Sequence, residues 1–371
     1  MKPASCAALL KQLELLASTG LGIALIAPDL SALLCKIVGA EAGGLSWFSE
    51  TGVPEGFYQR GSTREAELLF MNRYEELFAG PNEYTPFWSL RNQGRGIIHT
   101  GQASKAYLRS NTFNMLVKPS HCHFLMCVLV DLDGMPRLSG CFFREAKNPF
   151  SEADAQHLTL LIPVLRRAIG KRSNALQTHT ASANCGYMLI SADGERIEMI
   201  DGPADQMLAT IKLFDQNITL ISQLASPPLF VQLLCGQLRQ QSVTSAKTEI
   251  DLAGGTLVVS ANWLAAGPAP MHAVQAMPSA SLPPGKILVT LQFKQSGAIE
   301  VVCAIASMGL SPLQSQIAMY AAAGGSRAEC ALHHRVSKEA MKKHLREIFS
   351  ASRCTDWQEL SATLRVAPGT Q

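Results

Sequence analysis

Lys338, Lys342, Lys343 and Arg346 are spaced so that a helix gathers them, with Glu339, on one side. At roughly 100° per residue, Met341, Leu345, Ile348 and Ser352 gather on the other side, with Phe349 at its edge. One face packs and the other is cationic. Clustered ammonium and guanidinium groups of this kind contact phosphate oxygens, and a helix end carrying them presents side chains to the major groove of DNA. A charged helix face can equally be no more than solvated. The start and stop signals around this helix favour the first reading.

Those signals can be read in order. Ser311-Pro312-Leu313-Gln314 is a capping box with proline at the first helical position, and the helix it opens lines up Leu313, Ile317 and Tyr320 or Ala321. Gly324-Gly325 ends it. Ser326-Arg327-Ala328-Glu329 is a second capping box, opening a helix of two turns. The link His333–Val336 then leads to Ser337 as the next cap, so two short helices joined by a tight turn are expected. Thr355-Asp356-Trp357-Gln358 opens a last helix with Trp357, Leu360 and Leu364 on one stripe.

These residues resemble the LuxR-type (GerE-like) helix-turn-helix family. The segment L-S-P-L-Q-S-Q-I-A-M-Y-A-A-A-G-G-S-R-A-E-C-A-L-H-H-R-V-S-K-E-A-M-K-K-H-L-R-E-I-F is similar, without a gap, to that family's L-[ST]-P, its glycine at the end of the first helix, its S-x-x-E, its V-S at the turn and its K-x-H-[LV]-x-x-I-[FY]. The resemblance implies an all-α four-helix domain that binds double-stranded DNA as a homodimer. It places Lys342 on the family's lysine and His344 on its histidine. DNA contacts are expected from Arg335, Ser337, Lys338, Glu339, Lys342, Lys343 and Arg346, and dimerisation from Trp357, Leu360 and Leu364. The chain departs from the pattern twice. Arg335 stands where the family usually has glycine, and a non-glycine residue at positive φ costs about 1 kcal/mol. His334 stands where the family usually has a buried leucine, and a buried imidazole needs a partner. A helix-turn-helix that has lost DNA affinity, leaving a ligand-binding or protein-interaction module, is the alternative reading.

Composition locates the same region. The chain has 371 residues and a net charge of +3, too weak on average to imply a polyanionic partner. From Leu310 onward, however, eight Lys/Arg face five Asp/Glu, which accounts for the whole excess.

The remainder reads as α+β. Helices are expected near 4–18, 29–39, 63–79 and 104–117, with strands at G-G-L-S-W-F-S and C-H-F-L-M-C-V-L-V-D. The latter pairs with R-L-S-G-C-F-F-R through a turn containing Gly134, and a helix capped by Ser151 and Asp154 runs to about Gly170. A second unit has strands G-Y-M-L-I-S, R-I-E-M-I-D, T-L-V-V-S-A-N-W-L and K-I-L-V-T-L-Q-F, with helices from Pro203 and over 227–241 and a proline-rich loop over 267–284. No internal repeat stands out. This organisation is loosely similar to bacterial regulators with a GAF-like and then a PAS-like module, both antiparallel-sheet units. The expected order is a GAF-like sensor domain over 1–170, a linker over 171–183, a PAS-like domain over 184–295, a connecting helix over 296–309 and the helix-turn-helix domain over 310–371. The chain is longer than acyl-homoserine-lactone receptors and lacks the early acidic cluster of a receiver domain.

Sixteen of the 24 aromatic residues lie between Trp47 and Phe150, and Trp47, Phe57, Tyr58, Tyr84, Phe87, Trp88, Tyr107 and Phe113 are the candidates for an apolar small-molecule pocket. An ordinary aromatic-rich core is the competing reading. His121-Cys122-His123 with Cys127 and Cys141 could serve strand-end packing, a metal or a reactive thiol; on a strand over 122–131, His121 and His123 would share a face. Strand-end packing is preferred, so no metal or other cofactor is expected. No hydrolase motif is present and the chain is not expected to be an enzyme; a thiol oxidoreductase using Cys122, Cys127 or Cys141 is the weak exception. Ten scattered cysteines without a C-x-x-C pair, no secretory signal and no membrane-spanning run together predict a cytoplasmic protein.

Overall fold

Glycine and capping residues set most of the element ends in the computed structural model, which describes residues 3–60, 69, 73, 76–77, 90, 96–100, 104–145, 147–169, 179–180, 185–212, 226–240, 243–265 and 285–365. The expected helix over 63–79, the linker over 171–183 and the loop over 267–284 lie wholly or mostly outside these residues. Two compact units form. The first is Met1–Thr180 together with Ser296–Gln371, and the second is Ala181–Gln295.

The first unit begins with helices α1 (Pro3–Ala17) and α2 (Ile23–Val38), the latter stopped by Gly39 at φ 65°. Strands β1 (Ala42–Phe48), β2 (Pro54–Arg60), β3 (Ile97–His99), β4 (Phe124–Leu132) and β5 (Met135–Arg144) form an antiparallel sheet in the order β2-β1-β5-β4-β3. Asp133 and Gly134 both take positive φ, as a two-residue hairpin turn between β4 and β5 requires. The expected helix over 104–117 is broken: α3 (Lys105–Arg109) stops at Ser110, whose backbone is extended, and a π-helical turn follows over Thr112–Val117. Helix α4 (Glu152–Ala168) has the full Ser151–Asp154 capping box. The same Asp154 also pairs with the buried Arg144 at 3.1 Å, tying the start of α4 to the end of β5.

Alternation along the strands divides the sheet into two faces. Gly43 leaves room for the Cys35 sulfur of α2, so the face bearing Gly43, Leu45, Met126 and Phe142 lies under the helices. The opposite face carries a cluster of Tyr107, Phe113, Val117, Leu125, Cys127 and Leu129.

The second unit repeats the topology with different side chains. Its strands are β6 (Cys185–Ile190), β7 (Ile197–Ile200), β8 (Ser245–Leu252), β9 (Gly255–Ala265) and β10 (Gly285–Ser296), in the order β7-β6-β10-β9-β8. Both sheets therefore follow the order second, first, fifth, fourth, third. Helices α5 (Gly202–Lys212) and α6 (Leu229–Gln240) pack Leu208, Val231, Leu234 and Leu238 onto Ile190, Val259 and Val289. Strand β8 is absent from the expectations above, because its polar residues on an exposed edge leave too weak an apolar alternation to read.

The last segment returns to the first unit as α7 (Ala298–Ser307), α8 (Pro312–Ala322), α9 (Arg327–His333), α10 (Lys338–Ser352) and α11 (Trp357–Arg365). Helix α7 packs on α1, and Lys11 of α1 donates to the Leu310 carbonyl at 2.7 Å, beside the cap of α8. Among the described residues no helix is long and apolar enough to cross a membrane.

Candidate nucleic-acid interface

Helices α8 and α9 carry complete capping boxes, Ser311 with Gln314 and Ser326 with Glu329. Hydrogen bonds donated by the Ser326 hydroxyl and backbone N–H hold the Glu329 carboxyl below the usual range. Helix α9 runs through His333, so the link to the Ser337 cap is His334–Val336, starting one residue later than the spacing predicts and ending at the same cap. Ser337 has extended backbone, and its hydroxyl accepts the Ala340 N–H at 3.2 Å. That places Ser337 as a structural cap at the end from which α10 projects.

Met341, Leu345 and Ile348 are buried, whereas Lys338, Glu339, Lys342, Lys343 and Arg346 are exposed. Among the described residues no carboxylate lies within ion-pair distance of these four cations. Glu347, on the flank of α10, is instead held by the side-chain amide of Gln314. The arrangement leaves a capped helix whose solvent face carries four cations without ion-pair partners among the described residues, beside the single carboxylate of Glu339. His344 is half-buried, with Nδ1 enclosed and without a hydrogen-bond partner among the described residues.

Arg335 takes φ 53°, the left-handed conformation for which glycine is suited, and its side chain is exposed. His334 is half-buried against Tyr320 and His333, at ring-centroid distances of 6.2 and 4.8 Å. Burial first and His333 second push its imidazole below the ordinary range.

The stripe expected to dimerise is already covered within one chain. Leu360 and Leu364 are buried where α11 packs on α8, and the Trp357 indole N–H donates to the Gly325 carbonyl at 3.0 Å. A four-helix segment this small closes its own core first, so neither leucine is free for a second copy.

The aromatic candidates do not converge. Tyr58 lies opposite Leu45 on the helix-covered face, as does Trp47 by alternation, while Phe57 lies opposite Ser46 on the other face. Tyr107 and Phe113 share that other face at 5.1 Å, with Tyr107 fully buried and its hydroxyl donating to the His123 carbonyl. Tyr84, Phe87 and Trp88 lie outside the described residues. A strand cannot bring Trp47 and Tyr58 into one pocket with Tyr107 and Phe113, so the described members of the group lie on two sides of a sheet, with Trp47, Tyr107 and Phe113 buried and Phe57 and Tyr58 half-buried. A cleft of about 500 Å³ opens elsewhere, between β3 and α4, lined by Ile97, His99, Glu152, Gln156 and Thr159. His99 Nε2 and Glu152 Oε2 stand 3.2 Å apart at its wall. Glu152 was legible only as a first-turn residue of α4, and no signal marked His99.

His121 and His123 also part company. His121 has φ 58° and ends a 3-10 turn, the strand starts only at Phe124, and the His123 ring packs edge-on against Phe113 at 5.3 Å. Among the described residues no three His, Cys, Asp or Glu side chains gather as a metal site would need.

The chain matches no protein-family model and no curated protein sequence. Among solved structures it is similar to a GAF domain/HD domain protein from Geobacter sulfurreducens, at 16% identity over 42% of this chain and 95% of that one, with a TM-score of 0.29. The sensor region of a sensor histidine kinase aligns at 11% identity over 79% and 93%, with a TM-score of 0.18. The ligand-binding domain of Pseudomonas fluorescens chemoreceptor CtaA in complex with L-leucine aligns at 14% identity over 79% and 90%, with a TM-score of 0.16. Likenesses at this level carry no functional argument, which therefore rests on the residues described above.

Proposed function

We propose that the chain is a cytoplasmic, sequence-specific DNA-binding transcriptional regulator of the LuxR type, whose α+β units sense a small molecule or partner and alter DNA binding. The observation that carries this reading is the face of α10, where Lys338, Lys342, Lys343 and Arg346 are exposed without carboxylate partners among the described residues, directly after a capped turn. Helices entering the major groove need this division, an apolar side docked on the preceding helices and a cationic side open to phosphates and base edges. Arg335 adds a cation beside the helix start.

Coupling to the α+β region has a physical route. Helix α1 touches α7 and α8, and Lys11 holds the Leu310 carbonyl immediately before the Ser311 cap, so a shift of α1 moves the start of α8. If the regulator acts as a homodimer, the contact uses surfaces other than Leu360 and Leu364. Titrating a labelled long mixed-sequence duplex by fluorescence anisotropy tests the reading. Saturable binding at low salt supports it; no binding at 50 mM salt refutes it and leaves the ligand-binding or protein-interaction module. Native mass spectrometry of the purified chain then shows whether a small molecule or a protein travels with it.

A further inference from the structure

Cys127 and Cys141 occupy directly opposed positions on β4 and β5. They belong to one row across the sheet, Gln59, Gly44, Cys141, Cys127 and Ile98, whose side chains share a face. Their sulfurs are 3.2 Å apart, and among the described residues no other two cysteine sulfurs are in contact. Directly opposed residues have Cα atoms about 4.5–5.5 Å apart, inside the span a disulfide accepts. Closing the gap to a bond of about 2.05 Å needs a side-chain movement of about 1.2 Å and no change of register. Exposure distinguishes the two thiols. Cys127 is fully buried in the cluster with Tyr107 and Phe113, whereas Cys141 packs at the edge of that cluster and is partly exposed, with Gly44 opposite it on β1 lying under the Phe57 ring.

We propose that Cys127 and Cys141 are a redox site, oxidised by a hydroperoxide to an intramolecular disulfide that pins β4 to β5 beside the aromatic cluster. The Cys141 thiolate attacks a peroxide oxygen, the O–O bond breaks, and the departing alkoxide takes a proton to leave as an alcohol, or as water when the oxidant is hydrogen peroxide. Cys141 is then a sulfenic acid. The Cys127 sulfur attacks the Cys141 sulfur, the S–O bond breaks, and the hydroxide leaves as water with the Cys127 proton. Two electrons pass from the thiol pair to the peroxide, and a dithiol reductant returns them. Burial pushes the Cys127 thiol well above its ordinary range, which keeps it protonated and assigns the first attack to Cys141. The site does not depend on the DNA-binding reading.

The test uses the full chain, reduced, exposed to hydrogen peroxide, then unfolded in the presence of N-ethylmaleimide so that every remaining thiol is blocked, and digested with trypsin without reduction. Cleavage at Arg109, Arg137 and Arg144 separates the fragment carrying Cys122 and Cys127 from that carrying Cys141. The expected product is the two fragments joined, lighter than their sum by two hydrogens, and it persists in Cys122→Ser. In Cys127→Ala the joined product disappears and dimedone captures a sulfenic acid on Cys141. Cys141→Ser, at the half-exposed position, loses both products. Recovery of Cys127 and Cys141 as maleimide adducts while the exposed Cys303 is oxidised overturns the proposal, as does a join that requires Cys122.

Discussion

Replacing Lys342 and Arg346 together by alanine removes two of the four exposed cations on α10 while leaving its buried Met341, Leu345 and Ile348 untouched. Alanine favours helix at both positions, so far-ultraviolet circular dichroism should be unchanged. Each phosphate neutralised adds about 0.9 to the slope of log affinity against log salt. With one phosphate for each of the four α10 cations, their share of the slope for one copy is about −3.6, a fall in affinity of about 150-fold between 50 and 200 mM salt. With two of these contacts left, the α10 share is about −1.8 and the fall it causes about 12-fold. A homodimer doubles both slopes and preserves their ratio. The assay is anisotropy of a labelled mixed-sequence duplex at four or five salt concentrations. Identical slopes for the native chain and the double variant would refute the assignment of α10 as the DNA-contacting helix, even if both bind.

Arg335→Gly should stabilise the chain by about 0.5–1 kcal/mol in urea denaturation, because glycine adopts φ 53° without the Cβ conflict, and should weaken DNA binding through the lost cation. A destabilised variant would show that the side chain, not the backbone, governs the turn. Leu360→Ala should cost about 2–5 kcal/mol, the range for emptying a fully buried leucine site, with no change of association state by sedimentation. Dissociation at unchanged stability would return Leu360 to an interface between copies. Burial first and Glu300 second raise the Asp29 carboxyl from 3.8 to about 6. A raised carboxyl binds its proton more tightly in the folded state, so stability is full below pH 4 and is lost as pH rises through 6. Asp29→Asn should therefore be the more stable form at pH 7–8, with the advantage vanishing as pH falls towards 4; a gap independent of pH contradicts this.

The carboxy-terminal elements were readable because their signals are local. Ser311-x-x-Gln314, Ser326-x-x-Glu329 and Ser337 cap within one turn, and each acts in the structure within three residues of where it stands. The β4–β5 hairpin was readable for the same reason, since Asp133-Gly134 supplies two residues that tolerate positive φ. Less local features were missed. Ser110 breaks a segment whose periodicity looked continuous, and β8 is held at a sheet edge by pairing with β9 rather than by its own apolar pattern.

The aromatic group shows where composition misleads. Sixteen aromatic residues in one stretch are a property of the chain, but strand register distributes Tyr58 and Phe57 to opposite faces, one residue apart. The amino-acid sequence by itself determined the caps, the turns and the two-faced charge of α10, because these depend on contacts within a few residues and on helical period. Only the tertiary structure decided that Leu360 and Leu364 face α8, that His99 meets Glu152 at a cleft, and that Cys127 lies opposite Cys141. Those outcomes depend on pairing between segments far apart in the chain, where a shift of one residue reverses every side chain and local patterns carry no record of the partner.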